Sequence, residues 1–221
     1  MRESRKSRVG GLLVELCVVF VGVFVALAAD SWWQSRGERA RAAAYVTAVE
    51  VEMVLAGAQL DSAIVETERL LGETGDFWSL LQSERILADS VPLVGMQMYP
   101  IAIPTGTLDA MLVTGDINLI RGDEVRAVLV EEYARLHASV ASHERAMGVF
   151  FLTAAGVMPE LERARIEGRR PAPFPNAEAV RGNPIITGSY ASHLQLLRLE
   201  LNILRDMRVS VDRILTAVGP S

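Results

Sequence analysis

Three histidines, His137, His143 and His193, are the first residues to weigh for chemistry. His137 and His143 stand six apart, so they cannot share a helix face as an i, i+4 metal-binding pair does. There is no HExxH, and no Glu-x-x-His of the kind that builds di-iron sites in helical bundles. His143 falls near the apolar stripe of its segment, where a lone histidine is more often a hydrogen-bonded core residue than a ligand. Glu131, Glu132 and Glu144 read as a solvated face, with Glu131 and Arg135 spaced as an i, i+4 pair, worth roughly a few tenths of a kcal/mol. No GxSxG, P-loop or GxGxxG occurs. The one cysteine, Cys17, sits inside an apolar run, where it cannot serve as an aqueous nucleophile. Arg169-Arg170 belongs to a proline-rich loop and reads as solvating it. These residues predict a protein that is not an enzyme and holds no metal or cofactor.

The element that positions everything else runs from Gly11 to Ala29, 19 residues with one charge, Glu15. As a helix it is about 28 Å long, close to the hydrocarbon thickness of a bilayer. It reads as a retained membrane anchor. The competing reading is a signal peptide cleaved after Ala28, since a basic start and Ala26-Leu27-Ala28 fit one. Arg2, Arg5, Lys6 and Arg8 precede the run, while Arg36, Arg39 and Arg41 follow it with Asp30 and Glu38. That bias predicts a cytoplasmic N-terminus and a body outside, in the periplasm for a bacterial inner membrane. Trp32 and Trp33 suit the headgroup layer, their rings amphipathic. The organisation expected is a basic cytoplasmic tail over 1–10, a transmembrane helix over 11–29, and a helical-bundle domain over 30–221.

Within the run, Gly11, Glu15, Gly22, Ala26 and Ala29 recur at helical spacing. Small residues on one stripe let two membrane helices approach closely, and an intramembrane carboxyl commonly faces a partner. These five are the expected helix-packing face. The bland alternative is that Glu15 snorkels to the headgroups.

Glu15, Gly22, Ala26-Leu27, Asp30, Trp32, Arg36 and Tyr45 form a pattern that resembles a family of uncharacterised bacterial single-pass membrane proteins, whose anchor helix carries an E-x6-G-x3-AL-x2-D-x-W signature. A second block is also similar: Gly115 to Ile120, then Val125-Arg126, Leu129 and Tyr133. The chain departs from the family at Val46, where a leucine usually follows the tyrosine, and at Trp33, where a polar residue is usual. The resemblance implies that the anchor is retained; it implies no activity.

The body reads as helices. One is expected from Asp30 to about Leu71, with Val46, Val49, Met53, Ala56, Leu60, Ala63 and Leu70 as its stripe, interrupted at Thr67. Gly72 and Gly75 are expected to end it, and Asp76 to cap a short helix to about Leu87 that places Trp78 in the core. Ser90 to Leu108 is uncharged but broken by Pro92, Pro100 and Pro104. It therefore reads as an extended cover over the core, or as one wall of a methionine-lined groove. Thr107 is expected to cap a short helix through Val113, and Asp123 a long one through Ala154. Ala146 to Pro159, uncharged, reads as a buried core helix. Pro171, Pro173, Pro175 and Pro184 mark a surface loop, and a last helix runs from about Gly188 to Val218. The fold class expected is all-α: an N-terminal transmembrane helix continuing into an antiparallel helical bundle.

The chain carries a formal charge of −5. Its body is acidic, which argues against nucleic acid as a partner. The partners expected are the membrane and a second copy or another membrane protein. The function expected is that of a scaffold or sensor-like module acting by oligomerisation or partner binding. A receptor for a small apolar ligand and a cleaved secreted helical protein are the alternatives.

Overall fold

The computed structural model describes residues 4–82, 96–167 and 177–219, with side-chain surroundings for 16–82, 96–160 and 180–219. The described residues hold helices and no strand. Helix α1 spans Ser4–Gln82, α2 Gly106–Thr114, α3 Asp123–Glu167, α4 Ala177–Gly182 and α5 Pro184–Val218, with a 3-10 turn at Asp116–Leu119. The expected all-α architecture is what the chain adopts. The apolar N-terminal segment and the first body helix are one continuous rod of 79 residues, about 118 Å long.

That rod corrects one expectation. Gly72 and Gly75 do not end the first helix, and Asp76 caps nothing; the helix passes through all three to Gln82. A helix interior tolerates a glycine at a cost of about 1 kcal/mol. Here the stripe Leu70, Thr74, Phe77 and Leu81 is buried on both sides of the glycines, and burial of such side chains outweighs that cost. The end expected at Leu87 and the first part of the Ser90–Leu108 segment lie outside the described residues.

Helix α5 is the spine of the bundle, packing along both α1 and α3. Phe77 meets Tyr190 on one side, and Phe150 meets His193 on the other. Further towards the N-terminal part of α1, Asp61 pairs with Arg208, and Glu132 with Ser210. Sequence numbers rise along α1 and α3 as they fall along α5, so α5 runs antiparallel to both.

The helix starts and stops have local causes. Pro184, expected in a loop, is instead in the first turn of α5. Its missing N–H is no loss there, and the Asn183 side chain accepts from the N–H groups of Ile185 and Ile186 at 2.9 and 3.3 Å. Gly115 and Gly122 take φ of 77° and 89°, left-handed values that only glycine adopts freely; they close α2 and open the turn into α3. Thr107 does not cap α2 as expected. Its N–H and hydroxyl both donate to Glu52 of α1, at 3.1 and 2.7 Å, so a carboxylate from another helix satisfies the first turn of α2.

Two apolar clusters form the core. The one nearer the N-terminal apolar segment joins Met53 and Leu60 of α1, Leu108 and Met111 of α2, Leu129 and Leu136 of α3, and Leu204 and Ile214 of α5. The distal one joins Leu70, Phe77, Met147, Phe150, Tyr190 and Leu197, with Met96 and Met98 buried in it. Those two methionines therefore fill core space, as the covering role expected for their segment requires. Trp78 packs against the same cluster, half-buried. The Ala146–Pro159 stretch departs from expectation: Ala146, Met147, Phe150 and Val157 are buried, but Val149, Phe151, Leu152 and Met158 are exposed, Leu152 to 78%.

Candidate functional site

Gly22, Ala26 and Ala29 lie on α1, exposed along with the valines and phenylalanines around them. The hydropathy and length of this helix suffice to cross a membrane, and none of its most apolar window is buried in the protein. Gly11 and Glu15 fall within the same helix, at positions whose side-chain surroundings lie outside those described. Trp32 and Trp33 are both exposed and meet edge to face at 6.0 Å, with the Arg36 guanidinium 5.6 Å from the Trp32 ring centre. Two rings and a cation at the end of an apolar helix suit a boundary between hydrocarbon and water.

Beyond Trp33 the outer side of α1 continues apolar. Val51, Val54, Leu55 and Val65 are each more than half exposed, and Ala40, Ala44, Thr47 and Ala58 are exposed as well. At about 100° per residue, Val51, Val54, Ala58 and Val65 point away from the buried stripe Val49, Met53, Ala56 and Leu60. Carried back along the rod at the same ideal turn, Ala44, Ala40, Trp33, Ala29, Ala26 and Gly22 fall in that same outward sector. At an ideal 100° per residue, the small residues Gly22, Ala26 and Ala29 and the exposed apolar face of the body fall on one line.

Between the two core clusters lies a buried polar layer. His143 Nδ1 is 2.6 Å from Glu200 Oε1, and the Ile101 N–H donates to His143 Nε2 at 3.3 Å. Because Nε2 accepts, the proton sits on Nδ1 and is donated to the carboxylate. Thr67 is buried on α1, ten residues before Phe77 as Glu200 is ten after Tyr190, so it lies at the same level. Three residues in from that aromatic contact, Thr74 and His193 stand opposite each other in the next layer, both fully buried. Neither ring nitrogen of His193 has a hydrogen-bond partner among the described residues, and the same holds for Thr74 Oγ1 and Glu200 Oε2. Burial pushes the His193 imidazole down to about 4.

Nearer the N-terminal apolar segment, Glu132 is buried and not on a solvated face as expected. It accepts from Ser210 at 2.8 Å and Arg213 at 2.9 Å, with Arg135 at 3.6 Å. Burial pushes its carboxyl up, but the Arg213 and Ser210 hydrogen bonds and the Arg135 charge more than offset that, leaving it below the usual range. The expected Glu131–Arg135 pair forms at 2.5 Å. Asp109 receives the Tyr133 hydroxyl and lies 3.5 Å from His137. The Tyr133 bond holds Asp109 low and pushes Tyr133 itself up to about 12. Tyr45 donates to Asp116 at 2.7 Å, which ties α1 to the Gly115-Asp116 turn after α2.

The three histidines thus belong to three separate places. His143 bonds Glu200, His193 is in the layer beyond, and His137 lies beside Asp109 at the bundle surface. Among the described residues no three His, Cys, Asp or Glu side chains gather to hold a metal. The His143–Glu200 pair has donor, acceptor and charge for proton transfer, but both residues are 3% exposed. A reactant could not reach it without parting α3 from α5. Buried polar pairs of this kind are suited to fixing helix register. Sequence reasoning missed Glu200 and Glu132, although each stands among stripe leucines, Leu197, Leu201 and Leu204 for one and Leu129 and Leu136 for the other. An acid at a stripe position was the signal.

No family model, curated protein or solved structure matches this chain.

Proposed function

We propose that this chain is a membrane-anchored helical-bundle protein without enzymatic activity, a scaffold or sensor-like module that works by self-association along the outer face of α1. The N-terminal tail lies in the cytoplasm, the anchor crosses a bacterial inner membrane once, and the bundle stands in the periplasm. The observation that carries this reading is the single outward line from Gly22 through Ala26, Ala29, Trp33, Ala40 and Ala44 to Val51, Val54, Ala58 and Val65, none of it covered by the bundle.

Both halves of the line suit a second copy in parallel. In hydrocarbon, small residues allow close backbone approach. In water, burying each of Val51, Val54, Leu55 and Val65 from its present exposure contributes on the order of 1 kcal/mol. Summed over two chains, that approaches the cost of association, about 4–15 kcal/mol, and tethering in one membrane lowers that cost by raising the effective concentration. An unbroken rod also transmits a change at the bundle directly to the anchor, as a sensor-like role requires.

The test is membrane fractionation followed by native electrophoresis of the full chain in mild detergent. The expected result is a carbonate-resistant membrane protein that migrates as a dimer or higher oligomer. Val51→Glu/Val54→Glu should return it to monomer without loss of helix. A chain found in the soluble fraction with its first 28 residues removed would overturn the anchoring.

A further inference from the structure

At the base of the bundle, next to the anchor, α1, the start of α3 and the end of α5 leave an open groove of about 340 Å³. Its walls are apolar, including Val46, Val125 and Val218, and the hollow exists because Ala43 and its neighbouring alanines supply too little side chain to fill it. Its two charged lining residues are both cations, Arg39 and Arg121. Neither guanidinium has a carboxylate partner among the described residues, as is also true of the exposed Arg36 and Arg41 nearby. Two unpaired arginines over apolar walls are complementary to one kind of molecule, an anion with a hydrocarbon tail.

The place in the fold supplies it. Arg39 follows Ala29 by ten residues, about 15 Å of helix, and the headgroup layer takes up about 5–7 Å of that distance. A guanidinium on its long stem spans much of the rest. We propose that this groove binds one anionic phospholipid drawn up from the surrounding membrane, its phosphate near Arg39 and Arg121 and part of one acyl chain lifted out of the leaflet against Val125, Val218 and Val46, which stands about 25 Å of helix beyond Ala29. The site joins the anchor side of α1 to the last turn of α5, so an occupied groove fastens the bundle base to the leaflet beneath it. The proposal rests on the anchoring put forward above but not on self-association.

The test is native mass spectrometry of the full chain, delipidated in detergent and incubated with phosphatidylglycerol or phosphatidylcholine at equal concentration. Two cations near an anionic headgroup correspond to about 25-fold preference for phosphatidylglycerol. Arg39→Gln/Arg121→Gln should bring the two lipids to within about twofold of each other. Ala43→Leu, which keeps both charges but fills the groove, should reduce retention of both lipids. Circular dichroism of the variants checks that all are folded; the side chains changed are exposed and make no pair that the fold needs. Equal retention of phosphatidylglycerol by wild type and the arginine variant overturns the proposal, and so does unchanged retention by Ala43→Leu. Inorganic phosphate that displaces the lipid completely at millimolar concentration would also overturn it, by showing a bare anion site. Because binding is read in detergent, its failure does not depend on whether the chain fractionates with membranes.

Discussion

His193 makes the bundle sensitive to mild acid. The ring is fully buried between Phe150 and the level of Thr74, and burial holds it neutral down to about 4, against an ordinary value of 6.5. An unfolded chain takes up the proton at the ordinary value; the folded one does not until the lower one. Between those two pH values the unfolded state binds more protons, so stability falls as pH falls. The contribution is fully present above about 6.5 and gone below about 4. A shift of this size corresponds to about 3 kcal/mol, a large share of what holds a domain of this size together. The assay is urea unfolding of the full chain in detergent, followed by far-UV circular dichroism, at pH steps from 7.5 to 4. The free energy should drop by about 3 kcal/mol across the window with no change in the denaturant slope. His193→Leu should flatten that drop. It should also raise stability at pH 7 by about 1 kcal/mol, because two partnerless buried nitrogens are removed. A wild-type curve that is flat over this range, or a His193→Leu curve that keeps the slope, would refute the reasoning. Asp109 and Glu132, both held low, act in a different window: their contribution is present above the ordinary carboxylate range and is lost below it.

Three further outcomes follow from the packing. Gly72→Ala and Gly75→Ala sit where an added Cβ meets nothing within 4 Å, so each should raise stability by about 1 kcal/mol in the same unfolding assay. Glu200→Leu should cost about 3 kcal/mol by stranding His143, while the double variant His143→Leu/Glu200→Leu should recover most of that loss. Glu52→Ala should cost about 1 kcal/mol by freeing the first turn of α2, seen as faster amide hydrogen exchange at Thr107 than at Met111.

The helical class was legible because stripes such as Val49, Met53, Ala56 and Leu60 repeat at helical spacing over long distances. Boundaries were less so. Gly72, Gly75 and Pro184 are local stop signals, and each was overridden by something non-local or by its position: burial of Leu70 and Phe77 across the glycines, and the Asn183 cap in front of the proline. Glu132 and Glu200 stand at stripe positions, a sign of burial, but their pairings were illegible because the partners, Ser210 with Arg213 and His143, lie 57 or more residues away. The outward line on α1 was half visible. Its anchor portion stood out as glycine and alanine among large residues. Its body portion was hidden, because a helix with apolar stripes on two opposite sides shows no clean amphipathic period. The exposed side of Ala146–Pro159 was obscured for a related reason: absence of charge says nothing about which side faces the core.

Site-directed disulfide formation tests the central claim most directly. In a Cys17→Ser background, single cysteines are placed in turn at Ala26, Ala40, Ala44, Val51 and Ala58, and at the flanking exposed positions Glu50 and Gln59, and oxidised in native membranes. A parallel pair of α1 rods predicts covalent dimer at the first five and little at Glu50 or Gln59, with one continuous phase from the anchor into the body. Dimer yield with no dependence on position, a maximum at the flanking positions, or only monomer at Ala26, Ala44 and Val51 would contradict it.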